Sequence, residues 1–160
     1  MSEFVQAWRL VKANRAPTAF DGEGAYRFGG RWNSRGVRAV YASSTLALAL
    51  LEILVHIDPA RRVPELMAIP IQLPKRMIEG GTYSTPTRLG AGFIPPIGET
   101  RRTGDAWIRA AQGPALRIPS AVVPIEDNYL LNPEHPNFNQ LKIGPSEPFP
   151  FDTRLTKMLP

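Results

Sequence analysis

The chain has 160 residues, 43% hydrophobic and 21% charged, a balance that excludes wholesale disorder and coiled coil and suits one domain burying roughly two-thirds of its unfolded surface. Its lack of cysteine excludes disulfides, thiolate metal sites and thiol catalysis, and permits a reducing compartment. The formal net charge of +5 fits an anionic partner, whether nucleic acid, a phosphate-bearing metabolite or an acidic protein, and does not choose among them.

Residues 1–13 lack the basic, long-apolar and small-residue order of a secretion signal, and their polar residues recur too often for a membrane span. A cytoplasmic location without a membrane partner is expected. Residues 4–11 alternate between two faces and predict a first strand. From Lys12 to Arg38 the pattern gives way to Pro17, Asp21-Gly22, Gly24, Gly29-Gly30 and Gly36, a loop of about two dozen residues, longer than compact domains keep without a use. Residues 38–42 predict a short strand, with Ser43-Ser44 as the N-cap of a helix beginning directly after it.

Residues 45–57, without glycine or proline and apolar almost all round, predict a long buried helix that ends at Asp58-Pro59. Residues 65–73 predict a strand with Pro70 at an edge or bulge. Residues 83–103 read as connection, and residues 104–112 as a short helix with Asp105 at its start. Residues 115–123, 128–131 and 140–143 predict three strands, with residues 149–155 as a further one. The sum is one α+β domain over residues 1–160, its core at about 4–155, with a mostly antiparallel sheet around one long buried helix and extensive loops. The 17 prolines, about 11% against an average near 5%, fall largely between the predicted elements and call for stiff, irregular connections.

Glu52 stands out because it sits in mid-helix between Leu51 and Ile53. A carboxylate there must be paired, protonated or lining a cleft. It is read either as an ion pair with His56 or an arginine elsewhere, or as a site residue. Gly30, Arg31 and Trp32 lie in a Gly-Gly-Arg-Trp-Asn string, where glycines admit close backbone approach, arginine suits phosphate or carboxylate, and tryptophan offers an aromatic face. The alternative has Trp32 plugging the core edge while Arg31 neutralises Glu52. Tyr41 is a stacking or hydrogen-bonding candidate or a core tyrosine, and Ser120 a hydroxyl donor in a cleft. Asn132 and His135 belong first to turn chemistry. No Gly-x-Ser-x-Gly elbow surrounds Ser120, so a serine-hydrolase triad is not supported. Two histidines without cysteine give no zinc spacing, and no metal is predicted. Arg61-Arg62 and Arg101-Arg102 are too short to form a nucleic-acid stripe and read as solvated charge, so no direct nucleic-acid partner is expected.

Taken in order, these residues resemble the RES domain family. The carriers are Trp8-Arg9 on the first strand, G-x-G-A-x-R-x-G-G-R-W-N at residues 22–33, Y-A-S at 41–43, A-L-L-E at 49–52, P-S-A-V-V-P at 119–124 and Asn128 to Pro133. The family's arginine, glutamate and serine would here be Arg31, Glu52 and Ser120. The resemblance implies a fold similar to ADP-ribosyltransferases and a bacterial type II toxin that degrades NAD+ as its substrate, with no resident cofactor. It further implies a cognate antitoxin with an Xre-type helix-turn-helix domain and a homodimer. Catalytic roles would fall to Arg31, Tyr41, Glu52 and Ser120, and substrate binding to Arg9, Gly30, Trp32 and Asn132, with Arg9 and Arg31 on the pyrophosphate.

The chemistry agrees with the residues. Cleavage of the nicotinamide glycosidic bond passes through an oxocarbenium-like state that a fixed carboxylate stabilises, and the cationic leaving group needs no general acid. An NAD+ glycohydrolase is thus the first expectation. The others are an ADP-ribosyltransferase that modifies a protein and a non-enzymatic basic module that binds nucleic acid or a partner.

Overall fold

The computed structural model describes residues 2–58, 60–81, 83 and 95–158. Its frame is an eight-stranded sheet: β1 (Phe4–Lys12), β2 (Val40–Ser43), β3 (Leu66–Pro74), β4 (Ile78–Gly80), β5 (Ala115–Pro119), β6 (Asp127–Leu131), β7 (Lys142–Ile143) and β8 (Glu147–Phe149). The order is β4-β5-β6-β2-β1-β3-β7, with β8 also on β3. Every pairing is antiparallel except β4 with β5. The mixed α+β class and mostly antiparallel sheet expected from the sequence are therefore present.

β1 and β3 pair along their whole lengths, from Phe4 opposite Pro74 to Lys12 opposite Leu66. Pro70, which has no N–H to give, lies where the outer edge of β3 passes from β8 to β7, and its carbonyl accepts from Gly144. Alternation sorts the core into two sides. Ala7, Val40, Ala42, Ile71, Leu73, Ala115, Tyr129 and Leu131 share one face. On the other, Leu10, Leu66 and Ala68 pack against Ala49, while Leu116, Ile118 and Leu130 pack against Trp32, Trp107 and Ile108.

Among the described residues three α-helices flank the sheet: α1 (Glu23–Phe28), α2 (Leu46–Leu54) and α3 (Ile97–Arg109). Here the structure departs from the sequence reading. The long loop before β2 holds α1 and a 3₁₀ turn at Ala13–Thr18, because its glycines terminate a short helix rather than preclude one. α2 is neither long nor buried. Thr45, not Ser43-Ser44, caps it by accepting the Leu48 N–H, and only Leu48 and Ala49 are buried. Leu51 is 41% exposed and Val55, just past the helix, 58%. A helix lying on one sheet face covers one stripe, and an all-apolar pattern does not say which.

α3 begins at Ile97 behind Pro96 and is the longest helix, so Asp105 sits buried in its middle rather than at its start. Of the expected connection over residues 83–103, residues 84–94 lie outside the described residues, as does the Pro59 stop after α2. β5 stops at Pro119, four residues short, and the last expected strand is a 3₁₀ turn at Thr153–Met158 following β8.

Candidate active site

Glu52 projects from α2 toward the start of β6 and the turn after β5. The Ser120 hydroxyl donates to Glu52 Oε1 at 2.7 Å, and Asn128 Nδ2 donates to the same oxygen at 2.6 Å. Oε2 has no hydrogen-bond partner among the described residues. Neither His56, which is exposed, nor any arginine among them pairs with this carboxylate. The ion-pair alternative for Glu52, with Arg31 as the neutralising cation, is thus replaced by two neutral donors.

Ser120 is completely buried. Its hydroxyl oxygen accepts the Val122 and Val123 N–H groups at 3.1 and 3.0 Å, which turns the chain after Pro119. A serine has one hydroxyl proton, and this one is committed to Glu52. Ser120 therefore positions the carboxylate and is not the expected donor to a ligand.

The second part of the site is the segment from Gly29 to Asn33. Gly30 N–H donates to the Asn33 carbonyl at 2.9 Å, Trp32 N–H to Tyr41 Oη at 3.0 Å, and Tyr41 Oη to Asn33 Oδ1 at 2.7 Å. Asn33 is fully buried, and its Nδ2 reaches the carbonyls of Ala25, Ser34 and Val37. α3 grips the segment from outside: Thr100 Oγ1 donates to the Arg31 carbonyl, Arg101 Nε to the Gly30 carbonyl at 2.8 Å, and Asp105 Oδ1 accepts Ser34 N–H at 2.8 Å.

This packing explains two glycines. A Cβ on Gly30 would stand 2.6 Å from Tyr41 Oη, and one on Gly104 would stand 1.7 Å from the Trp32 carbonyl oxygen. The close approach that the sequence assigned to a ligand at Gly30 is made by Tyr41. Tyr41 itself uses both its donor and an acceptor site on the loop, and burial pushes its phenol well above the ordinary tyrosine range. Trp32 is 3% exposed and meets Tyr83 edge-on with centroids 5.8 Å apart, so it is the core plug of the alternative reading. Arg31 differs from its neighbours: its main chain is held while its guanidinium is exposed, with no side-chain partner among the described residues.

Sheet register brings the two parts together. Tyr41 pairs with Leu130 and Ser43 with Asn128, so Tyr41 and Asn128 are diagonal neighbours on one face, about 7–8 Å apart. Two expected binding residues lie elsewhere. Arg9 alternates with Trp8 and Leu10, which face α2, and so points to the opposite face. There it donates to the carbonyls of Ala19 and Tyr41, each at 2.7 Å, and packs over Phe20. Burial lowers its guanidinium to about 10 against a partial offset from Asp21, leaving it cationic at neutral pH. Asn132 is buried past the far end of β6, donating to the Ile108 carbonyl at 3.2 Å and accepting Glu134 N–H at 3.1 Å. Both side chains make their hydrogen bonds within the fold, away from Glu52.

Sequence reasoning named Asn33 and Asn128 only within motifs and gave neither them nor Arg101 a place at the site. Arg101 read as solvated charge, and no local signal shows that it reaches back to Gly30. Asn128 read as a strand start, and only its register with Ser43 places it beneath Glu52. Among the described residues no group of three or more histidine, aspartate or glutamate side chains could hold a metal, and no helix is long and apolar enough to cross a membrane.

The RES domain family profile matches residues 6–152. The chain belongs to the RES domain family. Its relatives include the Prs ADP-ribosylating toxin of Sphingobium sp. (strain YBL2), 33% identical with 94% of this chain and 96% of that one covered. They also include proteins named Toxin Res from Photorhabdus laumondii, 31% identical (94% and 96%), and Yersinia enterocolitica, 33% identical (92% and 97%). Among solved structures, a chain of the M. tuberculosis MbcT-MbcA toxin-antitoxin complex superposes with a TM-score of 0.70 at 17% identity, over 91% of this chain and 84% of that one. This RES domain therefore shares that chain's fold.

Proposed function

We propose that this RES protein is the toxin of a toxin-antitoxin pair and that it cleaves the bond between nicotinamide and ribose in NAD+. The observation that carries the reading is Glu52: a carboxylate held on one oxygen by two neutral donors, with no cation against it and its second oxygen unclaimed among the described residues. In the reaction the C1′–N bond breaks and its electron pair leaves with nicotinamide, which becomes neutral. Positive charge then develops on the ribose, where a fixed, uncompensated carboxylate stabilises it. With water as acceptor the products are ADP-ribose, nicotinamide and a proton. Arg31 supplies an exposed cation for the pyrophosphate, and Arg101, anchored on the Gly30 carbonyl, takes the place beside it that the sequence assigned to Arg9.

The name of the Sphingobium relative favours a second reading, transfer of ADP-ribose to a protein. The two share every step up to nicotinamide departure and differ in the acceptor. Purified protein mixed with NAD+ should release free nicotinamide, with water or phosphate as acceptor. Label from ADP-ribose appearing on a protein at the rate of NAD+ loss would instead establish transfer. Absence of nicotinamide under all these conditions, with growth inhibition unchanged in Glu52→Ala, would remove both.

An enzyme that drains NAD+ in its own cytoplasm must be blocked. The complex formed by the structural neighbour supports an antitoxin partner, which we take to be of the Xre helix-turn-helix type, acting on a homodimeric toxin. Acidic or terminal carboxylate groups of that antitoxin would meet Arg31, so Arg31→Ala should weaken the complex. Unchanged affinity would reject this contact.

A further inference from the structure

Three buried or half-buried asparagines bear on this fold, and one is satisfied differently from the others. Asn33 uses its amide nitrogen on three carbonyls and its oxygen on the Tyr41 hydroxyl. Asn132 donates to Ile108 and accepts from Glu134. In each of those the side chain closes a structural junction and both ends of the amide are occupied, as buried polar groups ordinarily are. Asn128 donates to Glu52, whereas its Oδ1 is buried and accepts no hydrogen bond among the described residues. The amide cannot turn over to relieve this, because that would set its oxygen against a carboxylate oxygen.

The placement is as informative as the imbalance. Asn128 lies in a row across the sheet with Ser43 and Ile118. That row puts its side chain on the α2 face, where it shares Glu52 Oε1 with Ser120. The two donors come from different elements, β6 and the turn after β5, and neither carries charge. Together they fix the carboxylate's rotamer and leave its negative charge intact. An arginine in the same place would fix it and cancel it.

We propose that Asn128 is a positioning residue for the reaction, pinning Glu52 Oε1 so that Oε2 is presented to the reacting ribose. The assignment rests on the NAD+ reading of the site. The orphaned amide oxygen is the cost of keeping the nitrogen on the carboxylate, a local violation of the kind folds retain where function requires it.

The test compares nicotinamide release by the full chain as wild type, Asn128→Ala, Asn128→Asp, Glu52→Gln and the double variant Glu52→Gln with Asn128→Ala. Loss of a hydrogen bond to a charged group should lower kcat roughly tenfold to a hundredfold in Asn128→Ala, with KM for NAD+ shifted less than about threefold. Asn128→Asp keeps the shape and loses the donor, so it should lose at least as much while melting as a folded protein. In the Glu52→Gln background, Asn128→Ala should have almost no further effect, because it acts through a group already removed. An active wild type with unchanged kcat in both Asn128 variants overturns the positioning role and leaves the NAD+ reading standing. Full multiplication of the two losses in the double variant also overturns it. No nicotinamide from the wild type overturns the reading and this assignment with it.

Discussion

Glu52 and Arg31 are held in opposite ways. Glu52 is gripped by its side chain, through donors from β6 and from the turn after β5, while its helix leaves Leu51 facing solvent. Arg31 is gripped by its main chain and by the residues around it, through Thr100, Arg101, Tyr41 and Asn33, while its guanidinium stands exposed. A charge that must meet a short-lived cationic centre gains from a fixed position, since preorganisation costs nothing at the moment of reaction. A charge that receives an anionic substrate or partner gains from reach, on a post that does not move.

Breaking the post should have the largest effect. Gly104→Ala forces a methyl into the Trp32 carbonyl, so α3 and the loop cannot both keep their positions. Chemical denaturation should show a loss of about 3 kcal/mol, and a stable variant would mean the clamp is looser than the packing indicates. Next comes Glu52→Gln, which should cut nicotinamide release by about 10²–10³-fold while the melting temperature changes little. Loss of fold instead would place Glu52 among the structural groups.

Tyr41→Phe separates the two regions by removing a hydroxyl whose hydrogen bonds among the described residues are all to the loop. It strips the Trp32 N–H and Asn33 Oδ1 of a partner and should cost about 1–3 kcal/mol in denaturation experiments. Arg31→Ala should do the reverse, holding stability within about 0.5 kcal/mol while raising KM for NAD+ about tenfold. A destabilised Arg31→Ala would show that the side chain, too, is part of the post.

The smallest effect is on pH dependence. Burial raises the Tyr41 phenol above its ordinary value of 10.0. Stabilisation from the neutral phenol is complete below that value and is lost as pH rises from there toward the folded-state value, because the unfolded chain ionises first. Tyr83 and Tyr129 are raised in the same direction, first by burial. Stability of the wild type should therefore fall above pH 10, and Tyr41→Phe should flatten the fall. Identical slopes in the two proteins would remove Tyr41 as a contributor.

Strand positions were legible because alternation and turn residues are local. β1, β2, β3 and β6 lie within a residue or two of their expected bounds. Helix limits were less so. Gly98 and Gly104 hid the first half of α3, and the reason for Gly104 is the carbonyl of Trp32, far earlier in the chain. Glu52, Arg31 and Ser120 stood out as a mid-helix carboxylate, an arginine after paired glycines and a serine between proline and valines. Their roles did not, since a donor's target depends on which strands lie side by side.

The sequence by itself determined the class of fold, the family and the residue types able to carry the chemistry, because those come from periodicity, composition and motif order. Tertiary structure alone decided that Arg9 turns away from Glu52 and that Arg101 approaches Gly30. It also decided that Ser120 and Asn128 converge on one oxygen. The physical reason is that strand alternation sets a side chain's face and register sets its neighbours. Both are properties of pairs of strands, which no local stretch of sequence contains.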